Sequence, residues 1–175
     1  MKIAFQMDPI TSVDINADSS FRLAEEAQAR GHELFFYGPD QLAYEEGHIT
    51  AKGHRMTVQR VHGDHVDLGP LEHVNLADFD VIWLRQDPPF DMHYITSTHL
   101  LDRLAPDTLV VNDPFWVRNY PEKLLVLDFP DLTPPTTIAR DLETIKEFKA
   151  KHGDVILQPL YGNGGDGGCQ LGATE

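Results

Sequence analysis

The first 38 residues constrain the fold more than any other stretch. Lys2–Met7 (KIAFQM) is a short, largely apolar run of the kind that fills a strand covered on both faces, and Asp8-Pro9 stops it. The segment DSSFRLAEEAQARGH carries a helix signature. Asp18, Ser19 or Ser20 stands in capping position, Phe21, Leu23, Ala24 and Ala27 form an apolar face, and Gly31 ends it. His32–Gly38 (HELFFYG) reads as a second strand. Strand, helix and strand with connections this short form a βαβ unit, so the two strands pair in parallel. The expected fold class is α/β with a mostly parallel sheet.

The pattern continues less regularly. Residues 41–61 hold short runs split by Gly47 and Gly53, like a hairpin inserted into the α/β alternation. Ala77–Arg85 returns to a buried strand, and RQDPPFD leaves it. Asp91–Ala105 is predicted helical, with Ile95, Leu100, Leu101 and Leu104 apolar, and DTLVVNDP is a short strand stopped by Pro114. NYPEKLLVLDF suits a short helix with Asn119 near the cap and Pro121 in the first turn. Pro130, Pro134 and Pro135 mark a boundary, followed by a predicted strand at Thr136–Ala139, a helix at Leu142–Lys151, a strand at Asp154–Gln158 and the glycine-rich QPLYGNGGDGG. Residues 1–120 are therefore expected to form one α/β domain, and 121–175 the incomplete start of another. Two or three strands and one helix bury too little surface to stand alone, so the chain reads as the N-terminal portion of something longer.

Composition narrows the partners. The formal net charge is −14, from 28 acidic and 14 basic residues, and no basic run interrupts it. Such a chain repels nucleic acid and anionic membrane, so neither is expected as a partner, and any phosphate binding must be local. No apolar run approaches the roughly 20 residues that span a bilayer. The start of the chain lacks the longer apolar region of a signal peptide. The single cysteine, Cys169, excludes an intrachain disulfide and fits a reducing cytoplasm. It has no base partner in the sequence and is expected to be a small buried residue. The nine histidines include His62 and His65, three apart, but no pair joins a cysteine or carboxylate at a recognised ligand spacing, so no metal site is assigned.

Four places carry candidate chemistry, each with a plainer alternative. The glycine loop can offer backbone N–H groups to phosphate oxygens, or serve as a linker. Lys123 is a point charge in the first turn of a short helix, suited to phosphate or simply solvated. Arg85 and Asp87 leave a strand at its carboxyl end, where open α/β sheets place ligands. Arg85 can clamp a carboxylate and Asp87 accept an amine, or Arg85 can form a buried structural pair with Asp87 or Asp91. Asp8 and Ser19–Ser20 occupy the equivalent exit of the first strand, where helix capping explains the serines equally well.

The motifs MDPI, DSSF, RQDPPFD, VVNDP, EKL, DLTPPT and GNGG follow one another as they do in prokaryotic glutathione synthetases, and the chain resembles that family along essentially its whole length. The resemblance implies the ATP-grasp superfamily: a Rossmann-like pre-ATP-grasp substrate domain, then the start of an ATP-grasp domain. It implies a ligase that joins γ-glutamylcysteine to glycine with conversion of ATP to ADP and phosphate, cytoplasmic, and a homo-oligomer when full length. Magnesium ligands are expected outside this chain, no catalytic residue is assigned within it, and the chain alone is expected to be inactive. The implied ATP contacts are Lys123, Gln158, Gly162, Asn163, Gly164 and Gly165, and the candidate substrate contacts are Asp8, Arg85 and Asp87. Gln158 departs from the family, which has lysine before the Pro-Leu pair. An amide there can hydrogen-bond but supplies no charge. The alternative function is a non-catalytic α/β binding or oligomerisation module descended from the ligase.

Overall fold

The computed structural model describes residues 1–161 and 168–172. The chain forms two compact units, Met1–Asp87 with Met92–Asn119, and Pro88–Asp91 with Tyr120–Glu175.

The first unit opens with β1 (Lys2–Gln6), α1 (Ser19–Ala29) and β2 (Glu33–Tyr37), the βαβ start expected from the sequence. The strands β3 (Leu42–Glu45), β4 (His48–Val58) and β5 (Val66–Asn75) follow. Then come β6 (Val81–Leu84), α2 (Met92–Leu101), β7 (Leu109–Val111) and α3 (Pro114–Asn119). All seven strands join one sheet, ordered β3-β4-β2-β1-β6-β7, with β5 on β4. The run β2-β1-β6-β7 is parallel throughout, and β4 alone runs against the other six.

β1 sits at the centre and is covered on both faces. Ile3, Phe5 and Met7 point into a core that α1 closes with Phe21, Ala24 and Ala27. Ala4 faces the opposite core with Phe35, Tyr37, Ile82, Leu84 and Leu101, the last from α2. The near-continuous apolar run of the first strand follows from this two-sided burial. Because α1 and α2 cover opposite faces, the segments leaving β1 and β6 diverge at their carboxyl ends. This is the crevice that open α/β sheets use for ligands.

The hairpin is larger than its sequence suggests. Its turn is Glu46-Gly47, both with positive φ, and β4 then continues through Gly53 to Val58. Gly53 does not split the strand but lets it approach β2. A Cβ there would lie 2.2 Å from the Phe36 carbonyl oxygen and 2.7 Å from the Phe35 ring. β5, not foreseen from the sequence, runs along β4 from Thr50 to Val58 and carries Gly69-Pro70, which weaken a period-2 pattern.

In the second unit, α4 (Glu122–Leu125) follows Pro121, which occupies the N-cap rather than the first turn. Asn119 belongs to α3. The strand expected at Thr136–Ala139 has no ladder partner among the described residues, and these four residues behind Pro134-Pro135 form no regular element. α5 (Leu142–His152), capped by Asp141, leads to the antiparallel pair β8 (Val155–Leu157) and β9 (Cys169–Leu171). Among its described residues none is buried, and Cys169, expected inside, is exposed. A helix and two strands supply no second layer to cover it.

Gly53→Ala is expected to cost about 1–3 kcal/mol or more, because the added methyl meets backbone rather than a movable side chain. Urea denaturation followed by circular dichroism checks this. A midpoint equal to the wild type would mean that β4 and β2 can separate without loss.

Candidate functional site

The carboxyl ends of β1 and β6 bring together the residues singled out at the two strand exits. Gln6 pairs in register with Leu84, so the chains leaving the two strands start level. The Arg85 N–H donates to the Gln6 carbonyl at 2.8 Å, and the Asp87 N–H donates to Asp8 Oδ2 at 2.7 Å. Asp8 therefore ties one exit to the other through a charge-assisted bond.

Arg85 is half-buried, not enclosed. Its Nε donates to Ser20 Oγ at 3.0 Å and its Nη2 to Ser19 Oγ at 2.7 Å. The helix cap is Asp18, whose Oδ1 accepts the Phe21 N–H at 2.7 Å, and this leaves both serine hydroxyls to the guanidinium. The open choice between capping and side-chain recognition is thus divided by residue. Asp18 caps, and Ser19 and Ser20 aim Arg85 over the first turn of α1. A planar guanidinium held at two of its nitrogens is preorganised for a carboxylate.

The acidic side of the site is crowded. Burial raises the Asp87 carboxyl above its ordinary value, and the negative charges of Asp8 and Asp18 push it further, against the opposing pull of Arg85. The residue as a whole is exposed, so the carboxyl can meet a ligand. Tyr94, on α2, lies within electrostatic reach of Arg85, Asp87 and Asp8, and burial raises its phenol. Gln86 accepts a 2.7 Å bond from the wholly buried Gln6 amide, which anchors the residue between Arg85 and Asp87. Tyr94, Gln6 and Gln86 had no signal in the sequence. Tyr94 is an ordinary helix residue, Gln6 an ordinary strand residue and Gln86 a residue of the chain leaving β6 until the fold places them here.

In the second unit, Lys123 is half-buried in α4 and its Nζ donates to the Pro159 carbonyl at 2.6 Å. That bond brings the lysine to the residue next to Gln158, which is exposed at the end of β8. Gly162, Asn163, Gly164 and Gly165 lie outside the described residues. Among the described residues no group of three or more His, Cys, Asp or Glu could hold a metal ion. None of their helices is long and apolar enough to cross a membrane.

Comparison with known proteins matches residues 1–118 to the family described as prokaryotic glutathione synthetase, N-terminal domain, and residues 122–175 to prokaryotic glutathione synthetase, ATP-grasp domain. The chain is 55% identical over 167 residues to a glutathione synthetase of Brucella melitensis, covering 95% of this chain and 54% of that protein. It is 53% identical over 165 residues to one of Agrobacterium fabrum (94% and 52%) and 39% identical over 166 residues to one of Salmonella typhimurium (94% and 53%). The chain spans about half the length of the curated relatives it matches.

Asp87→Asn is expected to raise the thermal midpoint at neutral pH. The folded protein holds the Asp87 proton more tightly than the unfolded chain does. The cost of ionising it is therefore absent below the ordinary aspartate value of 3.8, and it grows as pH rises from there to the raised folded value. Calorimetric melts of variant and wild type between about pH 3 and about pH 8 should differ most at the alkaline end. A variant that melts below the wild type at the alkaline end would mean that Arg85 holds Asp87 ionised instead.

Proposed function

This chain belongs to the prokaryotic glutathione synthetase family, and on that premise we propose that it carries the substrate domain and the opening of the nucleotide-binding domain of a cytoplasmic ATP-dependent carbon–nitrogen ligase. Residues 1–120 form the substrate domain and 121–175 the start of the ATP-grasp domain. The reaction joins γ-glutamylcysteine and glycine. The substrate carboxylate takes the γ-phosphoryl group of ATP, releasing ADP, and the amine of glycine then displaces phosphate from the acyl phosphate to leave the amide. The assembled enzyme is a homo-oligomer that works on small molecules and engages neither nucleic acid nor membrane.

One observation carries the reading of the first unit. A serine-held Arg85 stands beside Asp8 and Asp87 at the carboxyl edge of a parallel sheet. The glutamyl end of γ-glutamylcysteine is an α-amino acid, with an ammonium and a carboxylate on one carbon. Arg85 binds the carboxylate through its free edge, and Asp8 and Asp87 receive the ammonium. An incoming positive charge offsets both the burial and the repulsion that raise the Asp87 carboxyl. The site thus recognises a zwitterion and leaves the cysteinyl carboxylate, where bond formation occurs, at the far end of the substrate.

ATP, when bound, would supply the phosphoryl group that converts the carboxylate into an acyl phosphate with phosphate as leaving group. Lys123, Gln158 and the loop residues Gly162, Asn163, Gly164 and Gly165 contact it. Lys123 supports this by reaching the residue next to Gln158. Magnesium does not fit the described residues, which lack a ligand cluster, and its ligands come from elsewhere in the ligase.

Titration calorimetry of the chain with γ-glutamylcysteine tests the first assignment. Arg85→Ala should weaken binding roughly tenfold to a hundredfold, the range of a charge-assisted hydrogen bond. The same substitution should leave 4-aminobutyrylcysteine, which lacks the α-carboxylate, nearly unaffected. Equal losses for both ligands would take Arg85 out of carboxylate recognition. Separately, the chain mixed with Mg-ATP, γ-glutamylcysteine and glycine should release no ADP in a coupled assay, and turnover would place a complete active site within these residues.

A further inference from the structure

We infer that His65 is a positioning residue for the site at the carboxyl edge of β1 and β6, acting through one hydrogen bond to the loop that carries Asp8. The inference rests on the reading of that site as the glutamyl pocket, and its test keeps the two apart.

His65 is only 8% exposed, and its Nε2 lies 2.7 Å from the Ile10 carbonyl oxygen. A carbonyl only accepts, so Nε2 carries the proton and donates. Ile10 follows Asp8-Pro9 and begins a tight turn, Ile10–Ser12, in which the Ser12 N–H and hydroxyl both donate to the Pro9 carbonyl. The Ile10 side chain is wholly buried. Core packing thus fixes one end of that residue and His65 the other, two residues from Asp8. The same imidazole meets the Phe21 ring edge-to-face, with centroids 5.8 Å apart and planes at 77°. Phe21 follows Ser20 and donates its N–H to the Asp18 cap. One ring therefore touches both walls of the pocket, the one bearing Asp8 and the one bearing Ser19 and Ser20.

The loop that supplies His65, between β4 and β5, is braced against α1. Gln28 donates Nε2 to the Val58 carbonyl and accepts the Val58 N–H, both at 2.8 Å. Arg60 donates to both carboxylate oxygens of Glu25, at 3.1 and 2.5 Å, and this hydrogen bonding is the main reason that carboxyl is held low. Asn16 Nδ2 and His62 Nε2 meet at 3.0 Å. The Gln59 N–H closes the loop on the His65 carbonyl at 2.9 Å. A brace with this many fixed points serves a partner whose position matters, and recognition geometry tolerates errors of only about 0.5 Å.

Two substitutions separate the ring from its proton. His65→Phe keeps the ring against Phe21 and removes the donor. His65→Gln loses the ring but sets an amide N–H near the Nε2 position. In the full 175-residue chain, γ-glutamylcysteine affinity should fall roughly three- to tenfold in His65→Phe and stay within about twofold in His65→Gln. The melting temperature should follow the opposite order. Affinity that tracks melting temperature in both variants, or unchanged affinity in His65→Phe, overturns the proposal. The Asp87 amide, which donates to Asp8, reports the pocket without ligand. Its hydrogen exchange should quicken in His65→Phe and recover in His65→Gln, and unchanged exchange in His65→Phe overturns the proposal even if γ-glutamylcysteine fails to bind. Failure of the wild-type chain to bind γ-glutamylcysteine overturns only the substrate reading.

Discussion

Everything at the candidate site depends on β1 being covered on both faces. A strand buried this way must leave the sheet along its own axis, because neither face is open to its chain. β1 and β6 are parallel and in register, so both chains emerge at the same level, and α1 and α2 then draw them to opposite sides. The crevice follows from topology before any side chain is chosen. The Arg85 N–H to the Gln6 carbonyl extends the ladder by one more bond, and the Asp87 N–H to the Asp8 carboxylate extends it again with a side chain in place of backbone. A ladder that ends on a carboxylate keeps that carboxylate still, and this is what recognition of a small ligand needs.

The charge arrangement works against the folded state and in favour of a cation. Burial raises the Asp87 carboxyl first, and the negative charges of Asp8 and Asp18 add to it against the pull of a single guanidinium, Arg85. Asp18 is committed to the α1 cap and Asp8 to the Asp87 N–H. Asp87 has no comparable bond on its carboxylate among those that anchor the site, and it carries the strain of the other two. Stability given up at one exposed carboxylate is a common property of binding sites.

The sequence made the backbone of this site legible and left its wiring obscure. The βαβ start, the strand before RQDPPFD and the helix after it follow from apolar runs and from Gly31, Pro9 and Pro88-Pro89, which act locally. The role of Gly53 was not legible, because a glycine that admits a neighbouring strand looks the same as one that breaks its own. β5 was hidden by Gly69-Pro70. The strand at Thr136–Ala139 had the right residues and no partner among the described residues, and pairing is a property of the sheet, not of the segment. At the site, Arg85, Asp87 and Asp8 could be picked out by position. Ser19 and Ser20 could not be separated from Asp18 as caps until the Phe21 N–H was seen to choose the aspartate. His62 and His65, three apart with no ligand partner at a recognised spacing, gave no sign of a role, whereas each histidine bonds a different part of the β1–α1 segment, Asn16 and Ile10.

The second unit poses the reverse problem, since its chemistry is local while its packing is not. With no buried residue among those described, its helix and strand pair gain little from the hydrophobic effect, and their caps and turn bonds do proportionally more. Lys123 illustrates this. Its bond to the Pro159 carbonyl crosses from α4 to the segment leaving β8, two elements that share no core. It also bears on Gln158. Gln158, beside the residue that Lys123 reaches, offers a donor without charge where a lysine would add one. In a chain with a net charge of −14 the trade is not neutral, because every lost cation weakens an already unfavourable field for nucleotide. Phosphate binding as proposed then falls to Lys123 and to backbone N–H groups, whose partial charges do not change with pH.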